Sequence, residues 1–345
     1  MRIALFDAKE YDKEFFEKEN NKRHQITYFE ENLSLDNLEK AKGFDAVCGF
    51  VNTPAETAII EELSNIGIKF WLQRSMGYNR IDLNKAKEKG IEVFRVPNYS
   101  AETVSEHAVA LMMAVNRRLV KAKTRTSKCD FTLNGLQGKC INNSTVGVIG
   151  SGKIGQGFIS AVKGMGANII VFDEFAQKNF PDTATKLGFK WVDKDELLTK
   201  SDFISIHAPL LPTTKHMIDD EAINKMKDGM ILINCARGPL VDTTALIKGL
   251  KSGKIAGAGL DVIEREEGRF FFDRKKDEVT IKTEDLEWKY LLEHEDVIVT
   301  AHQAFFSDLA LKQIASVTLS NADDAEKGDF SKALKIQEDG KVLNG

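Results

Sequence analysis

The stretch from Thr145 to Asp173 limits the possible folds of this chain more than any other. It begins with an apolar, β-branched run, continues with the pattern G-x-G-x-x-G and a helical segment, and closes with a second apolar run that ends on Asp173. Gly150 suits a tight turn, Gly152 a close backbone approach to a pyrophosphate, and Gly155 close packing of the helix on the strand. This order of features predicts a βαβ unit that binds a dinucleotide.

The acidic residue at the end of this unit indicates which dinucleotide is bound. The first turn of the helix offers unpaired N–H groups to phosphate anions, and Asp173 lies where a carboxylate can accept hydrogen bonds from an adenosine ribose. Its charge would repel a 2′-phosphate and no arginine follows it directly, so the sequence favours NAD over NADP. The alternative is a tight strand–helix turn followed by an ordinary aspartate at a strand end.

The composition argues against several classes of protein. A chain of 345 residues, 42% hydrophobic and 29% charged, is typical of a globular protein with two domains. Its net charge of −4 and its lack of a basic patch with interleaved aromatic residues argue against a nucleic-acid partner. No apolar run approaches the roughly 18 residues that span a bilayer, so no membrane partner is expected. The four cysteines are scattered without a C-x-x-C pair, which predicts reduced thiols in the cytoplasm and no metal site.

The order of strand-like and helix-like segments predicts the fold class. They alternate along residues 1–97, including a helix-like segment at 34–41, as in a parallel sheet with crossover helices. This region lacks a glycine fingerprint, so the dinucleotide should bind elsewhere. The amphipathic tail that begins at Asp308 should pack back on it.

We therefore expect an α/β protein with two Rossmann-like, doubly wound parallel-sheet domains and a cleft between them. Residues 1–100 and 300–345 would form a flavodoxin-like substrate domain, and residues 101–299 the NAD-binding domain.

A long helix is predicted from Glu102 to Thr126. Its apolar stripe is wide enough to require burial on more than one side, which fits a core helix and a subunit interface equally well. His107 lies on this helix beside Glu106, and a structural role is expected for it rather than a catalytic one.

Polar residues follow the predicted strands at the positions where α/β proteins bind ligands. In open α/β sheets, ligands lie beyond the carboxyl ends of the strands. The residues at these ends are Asp173, His207, Arg237, Asp261, Glu266 and His302. Six such endings in one sheet predict a shared site.

These residue types suit the interconversion of a ketone and an alcohol. His302 could give a proton to the substrate oxygen and take it back, because imidazole titrates near neutral pH. A carboxylate such as Glu266 on its other ring nitrogen would favour the imidazolium. Arg237 offers a planar fork that matches a substrate carboxylate. Together they predict a 2-oxo acid reductase.

Each residue also has a structural alternative. Arg237 could cap a helix or pair with Asp242. His302, which has phenylalanines nearby, could be a buried core histidine. From the residues alone, Glu264 is as good a candidate as Glu266.

Several further motifs give a resemblance to a known family. They are DAVCGFVN at 45–52, SEHAVALMMAVNRR at 105–118, DFTLNGLQGK at 130–139, CARGPLVD at 235–242 and VTAHQAFF at 299–306. Nearly end to end, the chain resembles the D-2-hydroxyacid dehydrogenases, and most closely the bacterial fermentative D-lactate dehydrogenases. The resemblance implies that Arg237 and His302 are catalytic. It also implies that Glu266 is the catalytic acid rather than Glu264, since it lies five residues after Asp261.

The resemblance also implies binding residues and partners. The substrate carboxylate would rest on backbone N–H groups at Met76 and Gly77, and Tyr99 would line the pocket. Cofactor contacts map onto Gly150, Gly152, Lys153, Ile154, Gly155, Asp173, Ala208, Pro209, Thr214, Cys235, Ala236 and Asp261. Thr214 stands where relatives often have asparagine. A homodimer or homotetramer is expected.

Substrate size is left open by two features of the sequence. Phe50, Tyr99, Phe305 and Phe306 would form an aromatic pocket that fits the methyl group of pyruvate or, with more room, phenylpyruvate or 2-oxoisocaproate. Arg80 replaces the usual Asn or His. It would favour a longer or dicarboxylic substrate if it pointed into the cleft, and would be a surface charge if it pointed outward, which is the preferred interpretation.

Three functions are compared on this basis. The first is a D-lactate dehydrogenase, and the second a broader D-2-hydroxyacid dehydrogenase that acts on larger 2-oxo acids. The third is a non-catalytic NAD(H)-sensing corepressor. The presence of Arg237, Glu266 and His302 argues against the corepressor.

Overall fold

The computed structural model describes residues 1–266, 270, 271, 285–336 and 342–344. The chain divides into two compact units, one of residues 1–100 and 306–345 and the other of residues 101–305. The second boundary was predicted at 300 and is wrong by a few residues. The turn at 302–304 stays with the larger unit because its backbone N–H groups bond to Asp261.

The smaller unit is built on a parallel sheet of five strands, in the order β2-β1-β3-β4-β5. This is the flavodoxin-like order, as predicted. The strands are β1 (Arg2–Leu5), β2 (Gln25–Tyr28), β3 (Ala46–Gly49), β4 (Phe70–Gln73) and β5 (Glu92–Arg95). The helices are α1 (Glu10–Asn20), α2 (Thr57–Asn65), α3 (Leu83–Lys89) and α13 (Asp308–Glu326), with a short antiparallel pair, β13 (Lys335–Ile336) and β14 (Val342–Leu343).

Helices cover both faces of this sheet. One face packs on α2 and α3, and the other on α1 and α13, so the tail helix lies within this unit. The predicted helix-like segment at 34–41 is wrong: only a single 3₁₀ turn forms there, at Leu38–Ala41. The Asn37 side chain accounts for this, because it bonds to the backbone at Asn32 and Ser34 and holds the preceding residues in a turn.

The larger unit contains a parallel sheet of seven strands, in the order β12-β11-β10-β9-β6-β7-β8. The order reverses between β6 and β9, as in dinucleotide-binding folds. The strands are β6 (Thr145–Ile149), β7 (Asn168–Phe172), β8 (Lys190–Trp191), β9 (Phe203–Ile206), β10 (Met230–Asn234), β11 (Ile255–Leu260) and β12 (Val297–Val299).

Helices also cover both faces of the larger sheet. They are α4 (Ala101–Asn116), α5 (Leu119–Thr126), α6 (Lys153–Gly164), α7 (Glu174–Asn179), α8 (Thr183–Leu187), α9 (Lys194–Lys200), α10 (Asp220–Lys225), α11 (Thr243–Ser252) and α12 (Leu286–Glu293). One core lies under α4 and α6, and the other under α9, α10 and α11. Strands covered on both faces read as continuous apolar runs, which is why the sequence reveals them clearly.

The single long helix predicted from Glu102 to Thr126 is wrong, since it breaks into α4 and α5. Asn116 ends α4 with a buried side chain that exchanges hydrogen bonds with the backbone of Lys139. Arg118 then adopts a left-handed conformation, with φ of 49°, and its guanidinium bonds to Ala256 and Asp296. Within its unit α4 is a core helix against α6, β10 and β11, so its wide apolar stripe is explained by packing on these elements.

Two further searches covered the described residues. None of their helices has the length and apolarity needed to cross a membrane. They also contain no group of three His, Cys, Asp or Glu side chains that could hold a metal ion.

Candidate active site

The glycine turn after β6 has the geometry of a dinucleotide cradle. Gly150 has a φ of 89°, and a Cβ there would lie 2.8 Å from the backbone of His207 and Ala208. A Cβ on Gly155 would lie 2.2 Å from the carbonyl oxygen of Gly150, so the helix packs directly on the turn. A Cβ on Gly152 would meet no protein atom within 4 Å. The turn is therefore open only where the pyrophosphate of NAD would approach.

Helix α6 begins at this opening. Gly152 is its N-cap and supplies no side-chain hydrogen bond, so backbone N–H groups at Lys153 and Ile154 can bind an anion. Lys153 is exposed and Ile154 is partly buried. The residues at this opening fit NAD.

Asp173 has a structural role in addition to the predicted one. One carboxylate oxygen accepts hydrogen bonds from the Ser151 backbone N–H at 2.8 Å and from its hydroxyl at 3.0 Å. The other caps α7 by accepting from the Ala176 N–H at 2.9 Å. Asp173 therefore fixes the glycine turn, and it is exposed enough to accept further hydrogen bonds. Its contact with the ribose stays a prediction.

The loop after β9 contains three of the predicted cofactor residues. Ala208 is buried, and Pro209 is exposed. The Thr214 hydroxyl donates to the Pro209 carbonyl at 2.7 Å and accepts from the Leu211 N–H at 2.8 Å. Threonine at this position thus orders the loop itself.

Of the six polar strand ends, His207 does not join the site. Its Nε2 pairs with the Ser205 hydroxyl at 2.9 Å, and its Nδ1 is buried with no hydrogen-bond partner among the described residues. Burial lowers the pKa of His207 to about 3, so the ring stays neutral at physiological pH. It cannot act as a proton donor there.

Asp261, directly after β11, organises the turn that carries His302. Its buried carboxylate accepts hydrogen bonds from the Thr300 hydroxyl at 2.5 Å, the Gln303 N–H at 2.8 Å and the Ala304 N–H at 2.9 Å. Its backbone carbonyl accepts from the His302 N–H at 2.9 Å. Three side-chain bonds and one backbone bond thus hold the turn against the end of β11.

His107 completes this network from α4. Its Nε2 lies 3.1 Å from the Thr300 hydroxyl and 3.4 Å from the Asp261 carboxylate. Burial alone would raise the pKa of Asp261, but hydrogen bonds from His107, Thr300 and Ala304 outweigh it and lower the pKa. Asp261 is therefore ionised, and His107 has the structural role expected for it.

His302 and Glu266 form a hydrogen-bonded pair. Nδ1 of His302 lies 2.8 Å from Oε1 of Glu266, while Oε2 accepts from the Ile263 N–H at 3.2 Å. The His302 side chain is 25% exposed, which argues against a buried core histidine. Its φ of 52° is left-handed, a strained conformation that the bonds to Asp261 maintain.

The structure separates the two glutamates that the sequence could not distinguish. Glu264 pairs with Nε2 of His216 at 2.6 Å and accepts from both the N–H and the hydroxyl of Thr243, at 3.0 and 2.8 Å. Glu266 alone of the two reaches His302. This geometry agrees with the choice that the family resemblance implied.

Arg237 lies in a turn after β10 that is shaped by Asn234. The Asn234 amide donates to the Arg237 carbonyl at 2.9 Å and accepts from the Ala236 N–H at 3.0 Å. The guanidinium is exposed, and its Nη1 donates to the Ala236 carbonyl at 2.7 Å. Asp242 instead caps α11 through the Ala245 N–H, and no ion pair joins it to Arg237 among the described residues.

The three candidate catalytic residues lie on neighbouring segments. A Cβ on Gly238 would come within 2.3 Å of the Ile263 backbone, so the turn after Arg237 packs directly on the loop that leads to Glu266. Strands β10, β11 and β12 are adjacent, and Arg237, Glu266 and His302 follow them in that order. Cys235, two residues before Arg237, is buried, and burial raises the pKa of its thiol, so the thiol is neutral. Its contact with the cofactor stays a prediction.

The predicted substrate residues Met76 and Gly77 follow β4 in the smaller unit, where a buried glutamine holds their loop. The Gln73 amide donates to the Ser75 hydroxyl at 2.7 Å and to the Gly77 carbonyl at 3.2 Å, while it accepts from the Trp71 indole at 2.8 Å. Gln73 therefore has an evident role in fixing this loop.

The aromatic residues and Arg80 have separate surroundings. Phe50 is buried beneath the guanidinium of Arg74, whose centre lies 5.1 Å from the ring, and Tyr99 is partly buried. Phe305 belongs to the larger unit, so the four-residue aromatic pocket stays a prediction. Arg80 bonds to the Asn52 carbonyl and forms a salt bridge with Glu56 at 2.6 Å, which supports the surface-charge interpretation.

Comparison with known proteins identifies the family. The model of the D-isomer specific 2-hydroxyacid dehydrogenase NAD-binding domain matches residues 109–304. A D-lactate dehydrogenase of Escherichia coli (strain K12) is 38% identical over 330 residues, covering 95% of this chain and 98% of that protein. The chain belongs to the D-2-hydroxyacid dehydrogenase family. The dehydrogenase uses NAD, and the resemblance drawn from the sequence motifs is confirmed.

Two solved structures extend the likeness over nearly the whole dehydrogenase. The pyruvate reductase of Chlamydomonas reinhardtii superposes with a TM-score of 0.90 at 38% identity, covering 95% of this chain and 97% of the other. A D-2-hydroxyisocaproate dehydrogenase superposes with a TM-score of 0.83 at 31% identity and covers all of both chains. The fold class of two parallel-sheet α/β domains is confirmed.

Sequence reasoning missed the residues that support the site. Asn234, Gln73 and His216 act on the backbone or on a neighbouring side chain, so no substrate or cofactor chemistry points to them. A partial signal exists for the first two, because each is an amide residue that ends an apolar strand. A polar group at such a buried position needs hydrogen-bond partners.

Replacing Gly152 with alanine should weaken NADH binding without unfolding the dehydrogenase. The added methyl group meets no protein atom within 4 Å and the backbone is extended there, but it would occupy the space predicted for the pyrophosphate. We expect the Kd for NADH to rise by at least about 10-fold, equivalent to about 1.4 kcal/mol, as measured by fluorescence titration. Gly164→Ala, also at an open position, is the matched control. Unchanged NADH affinity in Gly152→Ala would contradict the cradle.

Replacing Asp261 with asparagine should destabilise the enzyme in a pH-dependent manner. Because the folded pKa of Asp261 is lowered, its stabilisation is present above its unfolded pKa, about 3.9, and is lost as pH falls through the lower folded value. We expect a loss of roughly 2–3 kcal/mol at pH 7, shrinking towards pH 3, in urea unfolding. Asp193→Asn, at the exposed N-cap of α9, is the control, because aspartate and asparagine stabilise a helix N-terminus about equally. An equal loss at both pH values would argue against an ionised Asp261.

Proposed function

We propose that this enzyme is a D-lactate dehydrogenase that reversibly reduces pyruvate to D-lactate with NADH. The observation that carries the proposal is the Glu266–His302 pair, held by Asp261 beside the turn that bears Arg237. A carboxylate-backed imidazole near an exposed guanidinium suits a carbonyl group next to a carboxylate. The likeness to D-lactate dehydrogenases and to a pyruvate reductase supports a small 2-oxo acid.

Arg237 binds the substrate carboxylate in this proposal. Its guanidinium is exposed and offers two parallel N–H donors to a carboxylate. The backbone N–H groups of Met76 and Gly77, whose loop Gln73 fixes, add hydrogen bonds to the same group. Tyr99 and Phe50 are the proposed contacts for the methyl end of the substrate.

His302 moves the proton. Its Nδ1 is bonded to Glu266, so Nε2 is the nitrogen left to face the substrate oxygen. When bound, NADH supplies the hydride that reduces the carbonyl carbon. His302 Nε2 donates a proton to the developing alkoxide and takes it back in the oxidation of D-lactate. The Glu266 carboxylate, 2.8 Å from Nδ1, keeps the ring oriented.

The D configuration of the product, the cytoplasmic location and the homodimer or homotetramer belong to the same proposal. Membership of the family supports the D configuration and the homo-oligomer. The location is supported by four free cysteines, of which Cys129 and Cys140 are exposed. Light scattering on the purified enzyme, followed by a product assay with D- and L-specific enzymes, tests the assembly and the stereochemistry.

A panel of 2-oxo acids tests the substrate. The loss of NADH absorbance is followed with pyruvate, 2-oxoisocaproate and phenylpyruvate, and kcat/KM is compared. We expect the highest value for pyruvate. A higher value for either larger acid would replace the proposal with the broader D-2-hydroxyacid dehydrogenase, which the likeness to a D-2-hydroxyisocaproate dehydrogenase favours. NADH binding without oxidation by any acid would favour the corepressor.

A further inference from the structure

We propose that His216 is a positioning residue, which acts through Glu264 to hold the loop at 261–266 so that Glu266 meets His302. The inference rests on the proposed function, in which Glu266 and His302 serve the substrate. His216 itself touches neither of these two side chains among the contacts of the described residues.

The side-chain contact between His216 and Glu264 is strong and directional. Nε2 of His216 lies 2.6 Å from Oε1 of Glu264, and Oε2 accepts two hydrogen bonds from Thr243. Burial would raise the pKa of Glu264, but the bonds from His216 and Thr243 outweigh it and lower the pKa. An ionised carboxylate only accepts hydrogen bonds, so Nε2 of His216 carries the donated hydrogen.

The backbone of His216 is tied to the other catalytic segment. Its N–H donates to the Pro239 carbonyl at 2.8 Å, two residues after Arg237. His216 therefore links two segments. Its backbone bonds to the turn that follows Arg237, and its side chain bonds to the loop that carries Glu266. With no room for a Cβ at Gly238, the two segments also touch directly. A displacement of Glu264 would therefore alter the packing of both.

The orientation of the Glu266 side chain depends on where Glu264 is held. Arg265 alone separates them, and its φ of 63° is left-handed. This conformation turns Glu264 towards His216 and Glu266 towards His302, and it costs free energy in a residue with a Cβ. The Trp288 indole holds the Glu264 carbonyl at 3.0 Å, which fixes the backbone but not the carboxylate. Without His216, Thr243 still holds Oε2 of Glu264, but Oε1 loses its donor. The loop can then relax towards an unstrained conformation that moves Glu266 away from His302.

Two substitutions at His216 test the inference. His216 has a left-handed φ of 51°, a conformation that asparagine tolerates. His216→Asn therefore keeps the backbone, but the asparagine side chain is too short to reach Glu264. In His216→Gln, the longer amide can donate from about the position of Nε2, but the left-handed backbone disfavours glutamine, so the recovery should be incomplete. We expect kcat for pyruvate reduction to fall at least about 10-fold in His216→Asn, as for a small misplacement of a catalytic group, with partial recovery in His216→Gln. The KM for NADH should change less than about twofold, which is below 0.5 kcal/mol.

The control is His294→Gln. His294 is a partly buried histidine of the same unit whose Nδ1 accepts a hydrogen bond from the Asp296 N–H, and among the described residues no hydrogen bond or ion pair joins it to the loop at 261–266. Wild-type kcat in His216→Asn would overturn the inference. So would a parallel loss of kcat, NADH affinity and melting temperature without recovery in His216→Gln, since that pattern marks a general structural role. Glu266→Gln is measured alongside: if it leaves kcat unchanged, the role of Glu266 fails and the inference fails with it, whereas a loss in Glu266→Gln but not in His216→Asn rejects the role of His216 alone. Failure of the proposed function itself would show instead as no oxidation of NADH by pyruvate in the wild-type enzyme.

Discussion

Replacing His302 with glutamine is expected to lower kcat for pyruvate reduction by about 10²- to 10⁴-fold, the usual contribution of a general acid. In the proposed function the imidazole acts on the developing alkoxide, whereas cofactor binding is predicted to depend on the glycine turn. The Kd for NADH should therefore stay within about twofold of the wild-type value, a change of less than 0.5 kcal/mol. Steady-state kinetics and NADH fluorescence titration measure the two quantities separately.

The backbone at His302 requires a second variant. Its φ of 52° disfavours glutamine, so part of a measured loss could come from a displaced turn. Asparagine tolerates the left-handed region, and His302→Asn therefore removes the imidazole with less strain. Both variants should lose kcat to a similar extent, while His294→Gln remains active. If either variant loses NADH affinity in proportion to kcat, the role of His302 in proton transfer is not supported.

Replacing Arg237 with lysine is expected to raise the KM for pyruvate and to lower kcat/KM by about 10- to 100-fold, as when a charge-assisted hydrogen bond of roughly 1.5–3 kcal/mol is lost. A single ammonium keeps the charge but cannot reproduce the two parallel N–H donors of guanidinium. Arg237 is exposed, so we expect its replacement by lysine to leave the melting temperature unchanged.

The matched control for this substitution is Arg125→Lys. Arg125 is a partly exposed arginine of α5 that bonds to the Asn134 carbonyl. It should leave both kinetic constants unchanged. A KM for pyruvate in Arg237→Lys equal to that of the wild type would show that this guanidinium does not bind the substrate carboxylate. Glycolate and other small hydroxy acids can serve as competitive probes of the same site.

The sequence predicts the sheets well because both are parallel and covered on two faces. Strands such as β9 and β10 are buried along their whole length and therefore read as uninterrupted apolar runs. The flavodoxin-like order of the smaller sheet and the reversal at the glycine turn follow from the βαβ pattern. The strand ends also place Arg237, Asp261 and His302 at one edge, because neighbouring parallel strands end on the same side.

Other features depend on contacts between distant residues and cannot be read from local patterns. The break after Asn116 is set by Lys139, and the break in turn allows Arg118 to reach Ala256 and Asp296. The distinction between Glu264 and Glu266 depends on a single left-handed residue between them. A periodic apolar pattern carries no information about either.

The left-handed backbone at Arg265 and His302 affects how the thermal stability of this enzyme could be raised by substitution. Glycine at either position would relieve local strain and is the replacement that a stability screen would select. At 302 it would delete the proposed acid–base group, and at 265 it would loosen the backbone that is proposed to direct the carboxylate of Glu266. Heat tolerance is therefore better sought at open surface positions of the chain than at the most strained ones.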